Sequence, residues 1–210
     1  MLDEFAKRSP EVLKRLTELK QFANLRNVIV HWSGHVGEGP IAEPHEDIVR
    51  EYESLVHRVL NPLKAMDRAV KGDDIYKTSC DSAAADVIRE MHSKVYTHVP
   101  VTDENNRLLG VFSENAIVSY LAHHKTVTID SGTRIGEFRD FIRLGSHRSE
   151  VFDFMGPDAL LIDVARKFQE NLKNKKRIGA LFVTSGGTSE EVVLGLITAW
   201  DVAGVTELTF

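Results

Sequence analysis

Gly195-Leu196-Ile197-Thr198-Ala199-Trp200-Asp201 is the stretch on which the reading of this chain turns. Val192 to Ile197 is an apolar run rich in branched side chains, the pattern of a buried strand. Thr198 closes it. Asp201 follows three residues later, where a short helix running to about Val205 is expected to begin. A threonine at that junction can cap the helix with its hydroxyl. The first backbone N–H groups of a helix lack internal partners and attract anions. A carboxylate in the same turn only accepts, so it can take two hydroxyl donors at once, as a ribose diol offers. Phosphate on the N–H groups and ribose on the carboxylate would make a nucleotide site. The same Thr-x-x-Asp spacing also fits a capping box, in which both side chains satisfy backbone donors and bind nothing.

The surrounding pattern occurs twice. In the second copy Phe152 to Met155 reads as a short strand, and Asp158 as the cap of a helix through Phe168. Ile178 to Val183 and Val192 to Ile197 are strands about a turn, and Asp201 opens the last helix. In the first copy Ile75 to Thr78 is a short strand, and Asp81 caps a helix through Met91. Thr97 to Thr102 and Leu108 to Phe112 are strands about the turn Asp103-Glu104-Asn105-Asn106. Glu114 to Leu121 is a helix. Pro100 inside a strand marks an edge or a strand entry. Asp81, Asp86, Val87 and Arg89 repeat the spacing of Asp158, Asp163, Val164 and Arg166. Between the copies, a connector carries its own helix, Ile135 to Leu144. A repeat of this size implies two similar subdomains that bury their faces against each other.

Ahead of the repeat, Ser9-Pro10-Glu11 is a helix start, with Val12, Leu16, Leu19, Phe22 and Ala23 at helical spacing as far as about His31. A loop rich in breakers, Ser33 to Pro40, follows. A second helix begins near Pro44 with the stripe Ile48, Tyr52, Leu55, Val56 and Val59, and Asn61-Pro62 ends it. Two such helices bury little on their own. A homodimer that covers their apolar stripes is therefore expected.

Composition sets the outer bounds. A net charge of −5 argues against general attraction to nucleic acid or anionic membrane. Cys80 is the single cysteine, so no intrachain disulfide forms, which suits a cytoplasmic location. No apolar run approaches membrane-spanning length, and MLDEFAKRSPEV lacks the apolar centre of a signal peptide. No paired cysteines, phosphate-loop lysine or serine-elbow motif stands in the repeat, so neither a metal nor a catalytic cofactor is expected.

Both copies resemble cystathionine β-synthase (CBS) domains. The first carries this in Val99-Pro100-Val101-Thr102-Asp103 and Leu109-Gly110-Val111-Phe112-Ser113. The second carries it in Leu181-Phe182-Val183-Thr184-Ser185 and the Gly-x-x-Thr-x-x-Asp ending at Asp201. The resemblance implies an α+β fold: a helical hairpin (1–62) followed by a tandem CBS-domain pair, with the first domain at 63–122, a connector at 123–150 and the second domain at 151–210. The pair would be two pseudo-symmetric βαββα units. It also implies an adenosine-containing ligand, AMP, ADP, ATP, S-adenosylmethionine or a dinucleotide, held between the copies. In the family the aspartate holds the ribose and the threonine or serine lies near the phosphate, roles that fall here to Asp201 and Thr198. The first copy keeps Ser113 but has Ala116 in place of the aspartate. Asn115, one residue off on a helix, is expected to point elsewhere. Phe182 stands where the first copy has Pro100. The strand that follows the first helix begins near the ligand, which implicates Thr97 and His98 in the first copy and Arg177 and Ile178 in the second. Arg177 closes the basic run Lys173, Lys175, Lys176, and a guanidinium suits phosphate geometry. The same run also reads as a solvated helix end. His98 is noted because its charge changes near neutral pH.

Arg26-Asn27-Val28-Ile29-Val30-His31 resembles the Arg-Asn-x-x-x-His form of the HEPN motif. That resemblance implies an arginine and histidine at a dimer interface which, in some members, cleave RNA. Five positions on a regular helix separate Arg26 and His31 by about 140°. One unbroken helix therefore does not aim both at one phosphate, and nuclease activity is expected to be absent or weak. The reading that follows is a cytoplasmic regulatory module, not an enzyme, sensing an adenosine-containing ligand and reporting it to a protein partner. The alternative is a HEPN-type ribonuclease gated by the pair, with RNA as its substrate.

Overall fold

A computed structural model describes residues 3, 6, 12–13, 15–31, 42–124, 126, 128–173 and 177–203. The chain divides after Leu63 into two compact units. The first holds helix α1, Leu16–Val30, and helix α2, Glu46–Leu60. His45 caps α2 by accepting from the Asp47 N–H, Glu46 and Asp47 sit in its first turn, and His57 and Arg58 in its last, the charge order a helix dipole favours. Phe22 and Tyr52 join the two helices with ring centroids 5.1 Å apart. Leu55, Val12 and Ala6 are buried, whereas Leu25, Val28, Val30, Ile48 and Tyr52 remain exposed. Leu25, Val30, Ile48 and Tyr52 line a groove of about 490 Å³ together with Phe22 and Ile29. The Ser9-Pro10-Glu11 start and the Ser33–Pro40 loop lie outside the described residues.

The second unit contains both copies. Its elements are β1 (Val70–Lys71), α3 (Ala84–Lys94), β2 (His98–Thr102), β3 (Leu108–Ser113), α4 (Glu114–His123), α5 (Arg139–Ile142), β4 (Glu150–Met155), α6 (Leu161–Lys173), β5 (Arg177–Thr184), β6 (Val193–Ile197) and α7 (Ala199–Ala203). β2 and β3 form an antiparallel pair, Pro100 opposite Val111. The other sheet runs β1-β6-β5-β4, with β4 parallel to β5 and the rest antiparallel. β1 precedes the first copy's helix, yet it pairs with the second copy's last strand, Val70 opposite Leu196. The expected connector helix is present as a 3₁₀ turn, Ile135–Phe138, running into α5.

Three local expectations are corrected. Ile75 to Thr78 forms no strand; only Thr78 bridges, in parallel, to Val101, through Thr78 N–H to the Pro100 carbonyl and Thr102 N–H to the Thr78 carbonyl. Asp81 does not cap α3. Ala83 occupies the cap position with no side-chain bond, and the Ala84 N–H goes to the Thr133 carbonyl of the connector at 2.9 Å. Asp158 lies three residues ahead of α6 and accepts from Lys64 Nζ at 2.6 Å. In the first copy a connector carbonyl takes the helix's first N–H, and in the second a lysine takes the expected capping carboxylate.

The alternating apolar residues of the strands build three clusters. Leu161, Val164 and Phe168 of α6 pack on Ile178, Leu181, Val183 and Ile197. Val87 and Met91 of α3 pack on Val99, Val101, Phe112 and Tyr120, closed by Ile135, Phe138 and Ile142 from the connector. The third is the seam: Ile75, Leu108 and Val111 of the first copy meet Ala180, Phe182 and Val193 of the second. Phe182, where a proline would match the first copy, fills that seam with no exposed surface. Among the described residues no helix is long and apolar enough to cross a membrane.

Candidate functional site

The strand-to-helix turn after β6 brings Thr198 and Asp201 together. One carboxylate oxygen of Asp201, Oδ2, accepts both the Thr198 backbone N–H at 2.7 Å and the Thr198 hydroxyl at 2.8 Å. This is the N3-to-N-cap half of a capping box, so the structural role of the pair is realised. Asp201 keeps part of its surface open, and Oδ1 has no hydrogen-bond partner among the described residues. That oxygen remains a free acceptor of the type a ribose diol uses. Gly195 has its own reason to be glycine: a Cβ there would lie 2.9 Å from the Ala69 Cβ and 3.0 Å from the Met66 sulfur. Trp200, in the first turn of α7, is 88% exposed.

Three of the other candidates, Ser113, His98 and Arg177, converge on a residue that the sequence did not single out. Glu150, the first residue of β4, is 1% exposed. Its Oε1 accepts from the Ser113 hydroxyl at 2.9 Å and faces His147 Nδ1 at 3.1 Å. Its Oε2 faces His98 Nε2 at 2.9 Å and accepts from Asn115 Nδ2 at 3.0 Å and an Arg177 guanidinium nitrogen at 3.3 Å. Ser113 also caps α4 by accepting from the Ala116 N–H at 3.2 Å. Asn115 therefore points into the same cluster as Ser113 and not away from it: the second residue of a helix can fold its side chain back over the N-terminus. Burial raises the cost of the Glu150 charge. The hydrogen bonds from His147, His98 and Ser113 outweigh it and hold the carboxyl well below the usual carboxylate range.

The neighbours fix this geometry. A Cβ on Gly179 would stand 2.7 Å from His98 Nε2, so the glycine makes room for the ring across β5. The Phe152 ring meets both imidazoles edge-on, at 5.8 Å from His98 and 4.8 Å from His147. Thr97 is exposed, with its hydroxyl 2.7 Å from His98 Nδ1. Ile178 is a core residue, 3% exposed against α6. Its side chain supports the strand that carries Arg177. Lys175 and Lys176 lie outside the described residues.

In the hairpin, α1 stops at Val30 and His31 is its C-cap. Freed from the helical direction, the His31 ring turns back, and Arg26 reaches its Nε2 at 2.8 Å and the Asn27 Oδ1 at 3.2 Å. The expected 140° separation is corrected, because the helix ends one residue too early to impose it. A guanidinium has no acceptor, so Nε2 is the accepting nitrogen of that contact.

The CBS domain family model matches residues 72–123. No curated protein matches the chain. Among solved structures, the Vibrio cholerae protein AcuB, provisionally assigned to acetoin utilization, superposes with a TM-score of 0.51 at 20% identity. That likeness covers 70% of this chain and 92% of AcuB. CbpB, solved in complex with c-di-AMP, superposes with a TM-score of 0.51 at 17% identity, covering 79% of this chain and 95% of CbpB. The fold of this chain is thus a mixed α+β one of the CBS-domain-pair type, and the CBS domain model matches it at residues 72–123.

Proposed function

We propose that the chain is a regulatory module that senses an adenosine-containing ligand at the Thr198–Asp201 turn of its second copy. The observation that carries this reading is the half-satisfied Asp201 carboxylate. One oxygen is fixed by Thr198 and the other has no partner among the described residues. The c-di-AMP complex of CbpB, alike in fold, supports an adenosine ligand over other classes. Ligand held between the copies favours one arrangement of the seam, and that preference is the signal a protein partner reads. Asp201→Ala is expected to weaken binding of the best ligand among AMP, ADP, ATP, S-adenosylmethionine and c-di-AMP by about 1.5–3 kcal/mol, the worth of hydrogen bonds to a charged acceptor. Calorimetry on wild type and variant reads it, and equal affinities defeat the assignment. The lost cap lowers stability as well, by about 1 kcal/mol. Affinity measured well below the melting range separates the two effects.

A second reading is favoured by one contact: Arg26 and His31 stand together at the end of α1, with the residue types of general base and phosphate stabiliser. Here the guanidinium occupies the imidazole lone pair that a base needs. Purified protein is expected to leave a mixed RNA substrate intact with or without adenine nucleotides. Cleavage that vanishes in His31→Ala makes the hairpin a ribonuclease.

A further inference from the structure

Glu150 and the repeat explain each other. Ser113 in the first copy aligns with Thr198 in the second, and Ala116 aligns with Asp201. In the second copy the hydroxyl at the helix start donates to a carboxylate of its own turn at 2.8 Å. In the first copy that carboxylate is missing, and one arrives from 37 residues away: Ser113 donates to Glu150 at 2.9 Å. It arrives in a setting of donors from four further side chains, His98, Asn115, His147 and Arg177. They come from β2, the start of α4, the connector and β5, and a single carboxylate bridges them all. A guanidinium, imidazole N–H groups, a hydroxyl and a carboxamide N–H are together a set of donors that binds oxyanions. The Arg177 side chain, 63% exposed, is the face of the cluster open to solvent.

We propose that Glu150 is a resident anion, occupying from within the chain a built oxyanion site in the first copy, and that the site takes a free carboxylate or phosphate once Glu150 is withdrawn. Ser113, Asn115, His98 and Arg177 hold that anion. His147 closes the site from the connector side and is 1% exposed at its side chain. The wild-type site is therefore shut to any ligand anion that does not displace Glu150. This is independent of whether Asp201 holds a nucleotide.

The experiment compares Glu150→Ala, which leaves a carboxylate-sized space, with Glu150→Leu, which fills it. Both are melted in sodium acetate, sodium phosphate and sodium chloride at equal ionic strength. Acetate or phosphate is expected to restore about half or more of the Tm that Glu150→Ala loses in chloride, in a saturable manner. Wild type and Glu150→Leu, each from its own Tm, are expected to shift between the three salts only by the same small general salt effect, with no saturable rescue. Should Glu150→Ala fold only with an oxyanion present, refolding yield against anion concentration gives the same result. Equal behaviour of the Ala and Leu variants in all three salts overturns the proposal, as does failure of Glu150→Ala to fold in every anion. Phosphate active without acetate would assign the site to phosphoryl groups, and acetate without phosphate to carboxylates.

Discussion

Glu150→Leu is expected to destabilise the second unit by about 3–5 kcal/mol at neutral pH, the cost of breaking a buried ionic network from one side. Leucine matches the volume but accepts nothing. The His98 and His147 donors, the Ser113 hydroxyl and the Asn115 amide then face an apolar group, while the exposed Arg177 guanidinium is left to solvent. Urea denaturation followed by circular dichroism measures the loss. The pH dependence identifies its source. The Glu150 carboxyl is held below its ordinary range in the folded protein, whereas in the unfolded chain it titrates at about 4.3. Its stabilisation is therefore complete above that value and is lost as pH falls through and below it. The gap between wild type and Glu150→Leu is expected to be widest near neutrality and to narrow toward about pH 3. A gap that stays constant down to that pH means that packing, not charge, holds the site.

Gly110→Ala is expected to cost about 3 kcal/mol, at the upper end of overpacking. A Cβ on Gly110 would lie 2.3 Å from the Ile142 carbonyl oxygen and 2.9 Å from its carbon, backbone atoms that no rotamer change moves aside. Relief requires the connector to lift from β3. Ile142 is 2% exposed in the first copy's core, and its carbonyl faces His147 Nε2 at 3.4 Å. The displacement thus runs from the core into the Glu150 cluster. Gly145→Ala, where a Cβ meets nothing within 4 Å, is the internal control and is expected to stay within about 0.5 kcal/mol of wild type. Gly110→Ala as stable as that control would refute the close approach.

The strands β2 to β6 and the Thr198–Asp201 contact were legible because each rests on short-range patterning, whereas the order in which the strands pair was not. The run Arg177–Thr184 is apolar enough to be a strand wherever it packs, and a separation of three positions between Thr198 and Asp201 leaves few geometries. Glu150 was not legible, because its partners at 98, 113, 115, 147 and 177 share no spacing. A signal was present all the same. A carboxylate at the head of the mostly apolar stretch Val151–Met155 must find donors when its end of the strand is buried, and the nearest histidine, His147, was one of them. The caps at Asp81 and Asp158 misled for the converse reason. Local propensity favoured them, and the Thr133 carbonyl and the Lys64 ammonium outcompeted the local arrangement. The turn at Arg26–His31 depended on where α1 frays, and helix ends are the least determined part of a periodic pattern.

The pairing of β1 with β6 has a consequence for how this unit comes apart. Val70 and Lys71 protect the outer edge of the second copy's sheet, and Ala65, Met66 and Ala69 pack on its core. The segment that leads into the first copy is thus structurally a part of the second. Cutting the chain at the start of the first copy would leave Val193–Ile197 with an open row of backbone donors and acceptors, an edge prone to pairing with other molecules. The two copies are interlocked in the manner of an exchanged strand. Melting of the first copy that takes β1 with it strips this edge from the second, so the repeat is expected to unfold in one cooperative transition despite its internal symmetry.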